Sequence, residues 1–230
     1  MQDSSPKKSI VLGGVILTIL IMTVLATGIE LIVLRPLAPN HLGILYFIDR
    51  LFYWIFVALL WLYATKLENQ PLLIWKENRY SIGTHISHLF ALFFIIVICV
   101  FLAGILLSLM THEGPSKIIK PLADFLRNNT FLLVFTALTA GVTEELIFRG
   151  YLQTRLQQLL KNPYWAIIIS SLIFGLAHFR YGTIKNMVGP FIIGSGLAFY
   201  YWKYRNIKVT IIFHFLWDLG GLLYVVKHRF

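Results

Sequence analysis

Residues 82–110 read IGTHISHLFALFFIIVICVFLAGILLSLM, with no Asp, Glu, Lys or Arg among them. About 20 apolar residues wound as a helix cross the hydrocarbon of a bilayer, so this stretch alone is long enough to span one. It is continuous, without the polar-in, apolar-out alternation of a barrel strand, and helices and closed barrels are the only structures that cross lipid. The spacing predicts a transmembrane helix. Six further apolar stretches flank it, at 10–34, 44–63, 130–148, 164–178, 187–202 and 209–226. The fifth and sixth of the seven are short for a span. Such helices tilt little, run past these boundaries, or end inside a water-filled cavity.

Composition agrees with that reading. Of the 230 residues, 58% are hydrophobic and 13% charged, where soluble domains have roughly 45–50% and about 25%. A soluble protein of this length cannot hide that much apolar surface, so a second apolar phase must solvate the excess. Disordered, collagen-like and disulfide-scaffold classes are excluded at the same step. The expected fold is all-α, a polytopic transmembrane helix bundle of about seven to eight spans. The net charge of +10 comes from basic residues spread thinly between apolar runs. That pattern suits anionic lipid and not nucleic acid. The single cysteine, Cys99, lies in an apolar run and supports neither a disulfide nor a thiolate metal site.

Lys7 and Lys8 precede the first stretch as in a signal peptide, but the apolar run is too long and no small-residue cleavage site follows. A retained span is expected, with no soluble domain before or after the bundle. With the amino terminus in the cytoplasm, that side collects Lys7, Lys8, Lys66, Lys76, Arg79, Arg149, Arg155, Lys161, Lys203, Arg205 and Lys208, a slight majority of the basic residues. An eighth span or a re-entrant piece within 36–80 changes this count.

Charged side chains at bilayer depth are costly and usually face the bundle interior. Here they concentrate in the second half of the chain. The fourth stretch ends in Ala140-Gly141-Val142-Thr143-Glu144-Glu145-Leu146-Ile147-Phe148-Arg149; the fifth carries Phe174-Gly175-Leu176-Ala177-His178, and the seventh His214-Phe215-Leu216-Trp217-Asp218. Glu145 and Arg149 are four apart, share a helical face and are expected to pair. Ala137, Gly141 and Glu145 repeat at the same interval, which lets a neighbouring helix approach that face closely. Glu144 is rotated about 100° from Glu145 and has no local cation. It is either a general base or a silent, protonated acid. His214 and Asp218 share a face, so the aspartate can orient the imidazole or ligate an ion with it.

A Glu, a His, and a His with an Asp on three apolar helices suggest hydrolysis. A carboxylate and an imidazole hold and deprotonate a water, while a second imidazole and an acid stabilise the oxyanion formed on an amide. The same four side chains, Glu144, His178, His214 and Asp218, can instead hold a zinc ion with water in an open position. Neither GxSxG nor HExxH is present.

At these residues the chain resembles the CAAX protease and bacteriocin-processing family of intramembrane endopeptidases, which includes the CAAX prenyl endopeptidases and the bacterial Abi-type membrane proteins. The family signature is EExxxR, then FxxxH, then HxxxN or HxxxD. It is met by Glu144, Glu145 and Arg149, by Phe174 and His178, and by His214 and Asp218. The resemblance runs from about Phe125 to Val226, dividing the chain into N-terminal spans (1–124) and a protease core (125–230) within one membrane domain. It implies a helix bundle around a polar cavity and endopeptidase activity on a peptide or membrane-protein substrate. In that scheme Glu144 and His178 activate water, His214 and residue 218 stabilise the oxyanion, and Glu145, Arg149 and Phe174 support them. The prenyl endopeptidases carry Asn at the last position. Asp218 donates only when protonated, which leaves metal ligation or orientation of His214 open. The motif does not decide between glutamate and metal dependence; the glutamate-dependent version is preferred, no cofactor is assigned, and zinc is the alternative. The expected location is the plasma membrane of a bacterium or archaeon. A proton-coupled carrier or an inactive scaffold is the reading from another class, although the paired half-chain repeats of carriers are missing.

Other polar residues are read as interfacial or packing groups. His85 and His88 begin an amphipathic helix turn, Glu30 snorkels beside Arg35, and Asp49 and Arg50 mark an interfacial end of the second span. Gly194-Ser195-Gly196 makes a helix contact or kink. Phe199, Tyr200, Tyr201 and Trp202 form an interfacial aromatic belt.

Overall fold

The computed structural model describes residues 6–27, 42–114, 116 and 119–227, and every element among them is helical. In chain order they are α1 (Lys8–Thr27), α2 (Leu42–Lys66), α3 (Ile82–Met110), α4 (Ile119–Arg127) and α5 (Thr130–Thr139). From α5 the chain runs through π-helical turns at Ala140–Glu144 and Leu146–Gln153 into α6 (Thr154–Leu160), forming one long span, Thr130–Leu160. Then follow α7 (Pro163–Leu176), a 3₁₀ turn at Phe179–Tyr181, α8 (Lys185–Tyr204) and α9 (Ile207–Lys227). The protein is a polytopic helical membrane bundle.

Side-chain caps set several starts. Ser81 accepts from the Thr84 N–H ahead of α3, Asn129 from Leu132 ahead of α5, and Asn162 from Tyr164 and Trp165 ahead of α7, where Pro163 occupies the first turn. Six helices are long and apolar enough to cross a membrane. α8 has the length but is diluted by Asn186, Pro190, three glycines and Ser195. It lies inside the bundle, where Ile193, Leu197, Ala198 and Tyr201 are buried. α3 is the opposite case: Phe90, Phe94, Ile95 and Phe101 all point outward, the surface a lipid chain would cover.

Packing divides into three apolar clusters. α1 and α2 close on the π-helical segment through Tyr53, Phe56, Leu60, Ile147, Phe148 and Tyr151. α3, α8 and α9 meet at Ile96, Leu197 and Phe213. The start of α2 packs with α4 and α5 through Tyr46, Leu126 and Leu133. Glycine permits a close crossing: a Cβ on Gly175 would stand 2.8 Å from the Met187 carbonyl oxygen, so α7 and α8 meet backbone to backbone.

One end of the bundle is sealed by the segment between α2 and α3. Glu68 is fully buried, and Arg155 grips it with Nε at 2.9 Å and Nη2 at 2.8 Å. The same guanidinium donates to the carbonyls of Pro71 and Leu72, and the Tyr151 hydroxyl donates to the other Glu68 oxygen at 2.7 Å. Trp75 lies between the Tyr201 ring and the Arg205 guanidinium. The Asn78 N–H donates to the Arg205 carbonyl. The start of α1 is at this end too, where the Tyr63 hydroxyl donates to the Ile10 carbonyl.

Several expectations change. The fourth stretch does not stop at 148; it winds on to Leu160 because the chain widens into π-helical turns instead of breaking. Arg149 and Arg155 belong to neither aqueous side, since both are buried in ion pairs. Tyr200 and Tyr201 leave the aromatic belt: successive helical residues point about 100° apart, and these two turn inward while Phe199 faces out. Asp49 and Arg50 are not interfacial, because α2 begins earlier than its apolar run and carries them inside. The Gly-Ser-Gly stretch does make helix contacts, with Gly194 against Phe174 and Gly196 against Ile96. Residues 28–34 of the first stretch, with Glu30, as well as Arg35 and residues 36–41, lie outside the described residues.

Candidate active site

The site is built where the π-helical segment, the end of α7 and the middle of α9 converge. Gly141 makes the approach possible. A Cβ there would fall 2.7 Å from the Phe215 amide nitrogen, so α9 lies directly against the π-helical turn, one residue past His214. π-helical turns are rare and concentrate at functional sites. Each residue turns the chain less than in an α-helix, and this has a consequence for the two glutamates.

Glu144 and Glu145 both reach His214. Glu145 Oε1 accepts from His214 Nδ1 at 2.9 Å, and Glu144 Oε2 lies 3.9 Å from His214 Nε2. The α-helical expectation of divergent faces is therefore corrected by the wider winding. Glu145 also pairs with Arg149, its Oε1 standing 2.8 Å from Nη1, as the four-residue spacing predicts. Arg149 donates from Nη2 to the Gly194 carbonyl at 3.1 Å. Its guanidinium lies over the Phe174 ring, 4.6 Å from the centroid, giving the cation an apolar support that competes with no acid.

The structure thus reassigns the group that orients His214. Asp218 was the sequence candidate, but its Oδ2 is 3.6 Å from Nε2, beyond hydrogen-bond length. Glu145 fixes the ring through Nδ1, which carries the proton toward the carboxylate. Nε2 then points between Glu144 and Asp218. Sequence spacing within one helix cannot reveal a contact across 69 positions.

His178 follows the end of α7, and its Nδ1 donates to the Phe174 carbonyl at 2.8 Å. That bond leaves Nε2 as the working nitrogen. Phe174 links the two histidines: its ring centroid is 5.0 Å from His178, 5.8 Å from His214 and 5.0 Å from Phe148. His178 lies within electrostatic reach of His214 and Asp218. Among the described residues no hydrogen bond joins it to Glu144. Exposure rises along α9, from 5% of the His214 side chain to 32% of Asp218, so the site is more open on the Asp218 side.

Two groups near the site were not singled out by the sequence. Arg50 lies within electrostatic reach of Glu144, and Tyr181 stacks on His178 with centroids 5.9 Å apart. Asp49 and Arg50 sit inside the second span, where the rule applied to the later motifs already marks a charge as functional. Tyr181 left no signal of its own. Among the described residues no group of three or more His, Cys, Asp or Glu side chains is arranged to hold a metal ion. The four proposed ligands, Glu144, His178, His214 and Asp218, accordingly do not form such a group.

All seven motif residues fall within one matched segment. Residues 126–220 match the family described as type II CAAX prenyl endopeptidase Rce1-like. The match confirms the likeness carried by the motifs. No curated protein and no solved structure matches the chain. The Rce1-like segment runs from the end of α4 into α9 and so contains every side chain that touches His214. It points to a CAAX-type endopeptidase acting on peptide or protein within a membrane. Arg50 lies outside it, on α2.

Proposed function

We propose that the protein is an intramembrane endopeptidase in which Glu144 activates a water molecule against a peptide carbonyl. One observation carries this reading: Glu144 makes no hydrogen bond among the described residues, while the adjacent Glu145 is held through Oε1 by both Arg149 and His214. Two neighbouring carboxylates thus have separate jobs, one fixed and one free beside Nε2 of His214. The free one takes a proton from water as the oxygen bonds to the amide carbon. The resulting oxyanion is stabilised by Nε2–H of His214 in its doubly protonated form, whose Nδ1–H goes to Glu145, and the Nε2 of His178 helps to hold the water. Glu144 then delivers the proton to the leaving nitrogen as the C–N bond breaks.

The substrate in this proposal is a prenylated or leader-type peptide anchored in the membrane. The likeness of the motifs to bacterial Abi-type proteins supports a plasma-membrane location in a bacterium or archaeon. The test compares new protein amino termini in membranes of cells expressing the wild type or Glu144→Ala. Termini found only with the wild type name the substrate and the bond. Identical sets, with both proteins expressed and folded, sink the proposal. A zinc-dependent variant of the same chemistry predicts loss of cleavage on chelation and recovery with zinc; activity that survives chelation excludes it.

A further inference from the structure

The proposed reaction draws on the π-helical segment, α7 and α9, and leaves the charged pair of α2 without a task. Arg50 lies well inside the span Gly43–Lys66, its side chain 15% exposed and that of Asp49 2%. Tyr46 and Tyr53, one turn before and one turn after, hold the guanidinium between them, with ring centroids 5.3 and 4.8 Å away. Rings on both sides restrict the cation to one plane. The guanidinium is within electrostatic reach of Glu144 and of Tyr181, so it stands beside the site described above.

Its hydrogen bonding is incomplete. Asp49 Oδ2 accepts from Nη2, and no other acceptor among the described residues takes an Arg50 donor. Adjacent residues of a helix do not face each other, so Asp49 reaches only one arm of a fork that has five N–H groups. Nε of Arg50 and Oδ1 of Asp49 are both buried without a partner. Arg155, deep in the sealed end, is the contrast: Glu68 and two backbone carbonyls occupy its fork. Arg149 is committed to its own helix and α8, its Nη1 in an ion pair with Glu145 and its Nη2 donating to the Gly194 carbonyl. Among the described residues, Arg50 retains N–H donors that no acceptor takes.

We propose that Arg50 is a carboxylate-binding subsite of the cavity, taking either the C-terminal carboxylate of the bound peptide or an acidic side chain near the scissile bond. This rests on the peptidase reading above. A carboxylate entering the cavity meets the like charges of Glu144, Glu145 and Asp218, and it needs a compensating fork to stay. Arginine offers one with bidentate geometry. Anchored there, the peptide is held in register with its scissile carbonyl at Glu144.

The experiment uses the full chain carrying Glu144→Ala, in detergent micelles, so that binding is read without turnover. Three fluorescent, farnesylated tetrapeptides serve as probes: one with a free C-terminal carboxylate, one with a C-terminal amide, and one with the amide and an internal Glu. The free acid is expected to bind at least tenfold tighter than the amide. Adding Arg50→Gln should bring the two together, with Arg50→Lys between. Tight binding of the third probe assigns the subsite to a side chain instead of the chain end. Equal binding of all three by the protein with Arg50 intact overturns the subsite and leaves the peptidase reading standing. That comparison holds even where Arg50→Gln does not fold. Binding of none of the three overturns the subsite, and with identical amino termini in the membrane experiment the peptidase reading falls as well.

Discussion

Two of the buried networks of opposite charges lie close along the long span, their arginines, Arg149 and Arg155, six residues apart. At the sealed end, Glu68, Arg155 and Tyr151 are saturated: both carboxylate oxygens are occupied, and so is the arginine fork. Around His214, the pairing of Glu145 with Arg149 is equally close, yet Glu144 and Asp218 are left beyond hydrogen-bond length of Nε2. The ion pairs at the heart of both networks are buried, so burial does not separate a strut from the proposed reaction site. Completion does. Where every donor and acceptor is taken, removal of one group leaves a costly buried charge. Where one acid is left over, it has something to give to a substrate.

This contrast can be broken most sharply at Glu144. Its replacement by Gln should lower cleavage of a membrane peptide by about a hundredfold to ten-thousandfold, the contribution of a positioned general base. The unfolding midpoint in detergent should stay unchanged. A large loss of stability would instead make Glu144 a second strut. Glu68→Ala should do the reverse. Leaving Arg155 buried without its carboxylate is expected to cost about 3–5 kcal/mol of stability, while turnover per folded molecule holds, as thermal unfolding and active-site titration can show together. Gly141→Ala should be the mildest. Its new Cβ meets the Phe215 backbone, so α9 must shift at a cost of about 1–3 kcal/mol. Because His214 moves with that helix, turnover should fall with stability. Retained turnover would mean that the crossing does not position the imidazole.

The helices were legible wherever a local signal fixed them. The stretch 82–110 matches α3 from end to end because Ser81 caps its first turn and a run of apolar residues fills the rest. The start at 130 follows in the same way from Asn129. What the sequence lacked was any sign of winding. Ala140–Gln153 looks like ordinary helix in composition, and its π-helical course depends on α9 lying against Gly141. The site followed the same division. Glu145 and Arg149 lie on one helix and their pairing was readable; Glu145 and His214 lie on two, and their contact was not. Arg50 was missed for another reason: its span was begun at 44, which placed a buried charge at an imagined edge.

The seal over one end of the bundle makes the molecule directional. Segment 67–81 is locked to α6 and α8 by Arg155, Trp75 and Asn78, and the beginning of α1 is pinned beside it through Tyr63. Asp218, the more exposed end of the site, lies further along α9 from that lid than His214 does. For the peptidase proposed above, substrate and water are therefore expected to enter from the side opposite the seal. The orientation adopted once, during insertion, therefore decides for the life of the protein which leaflet it can serve.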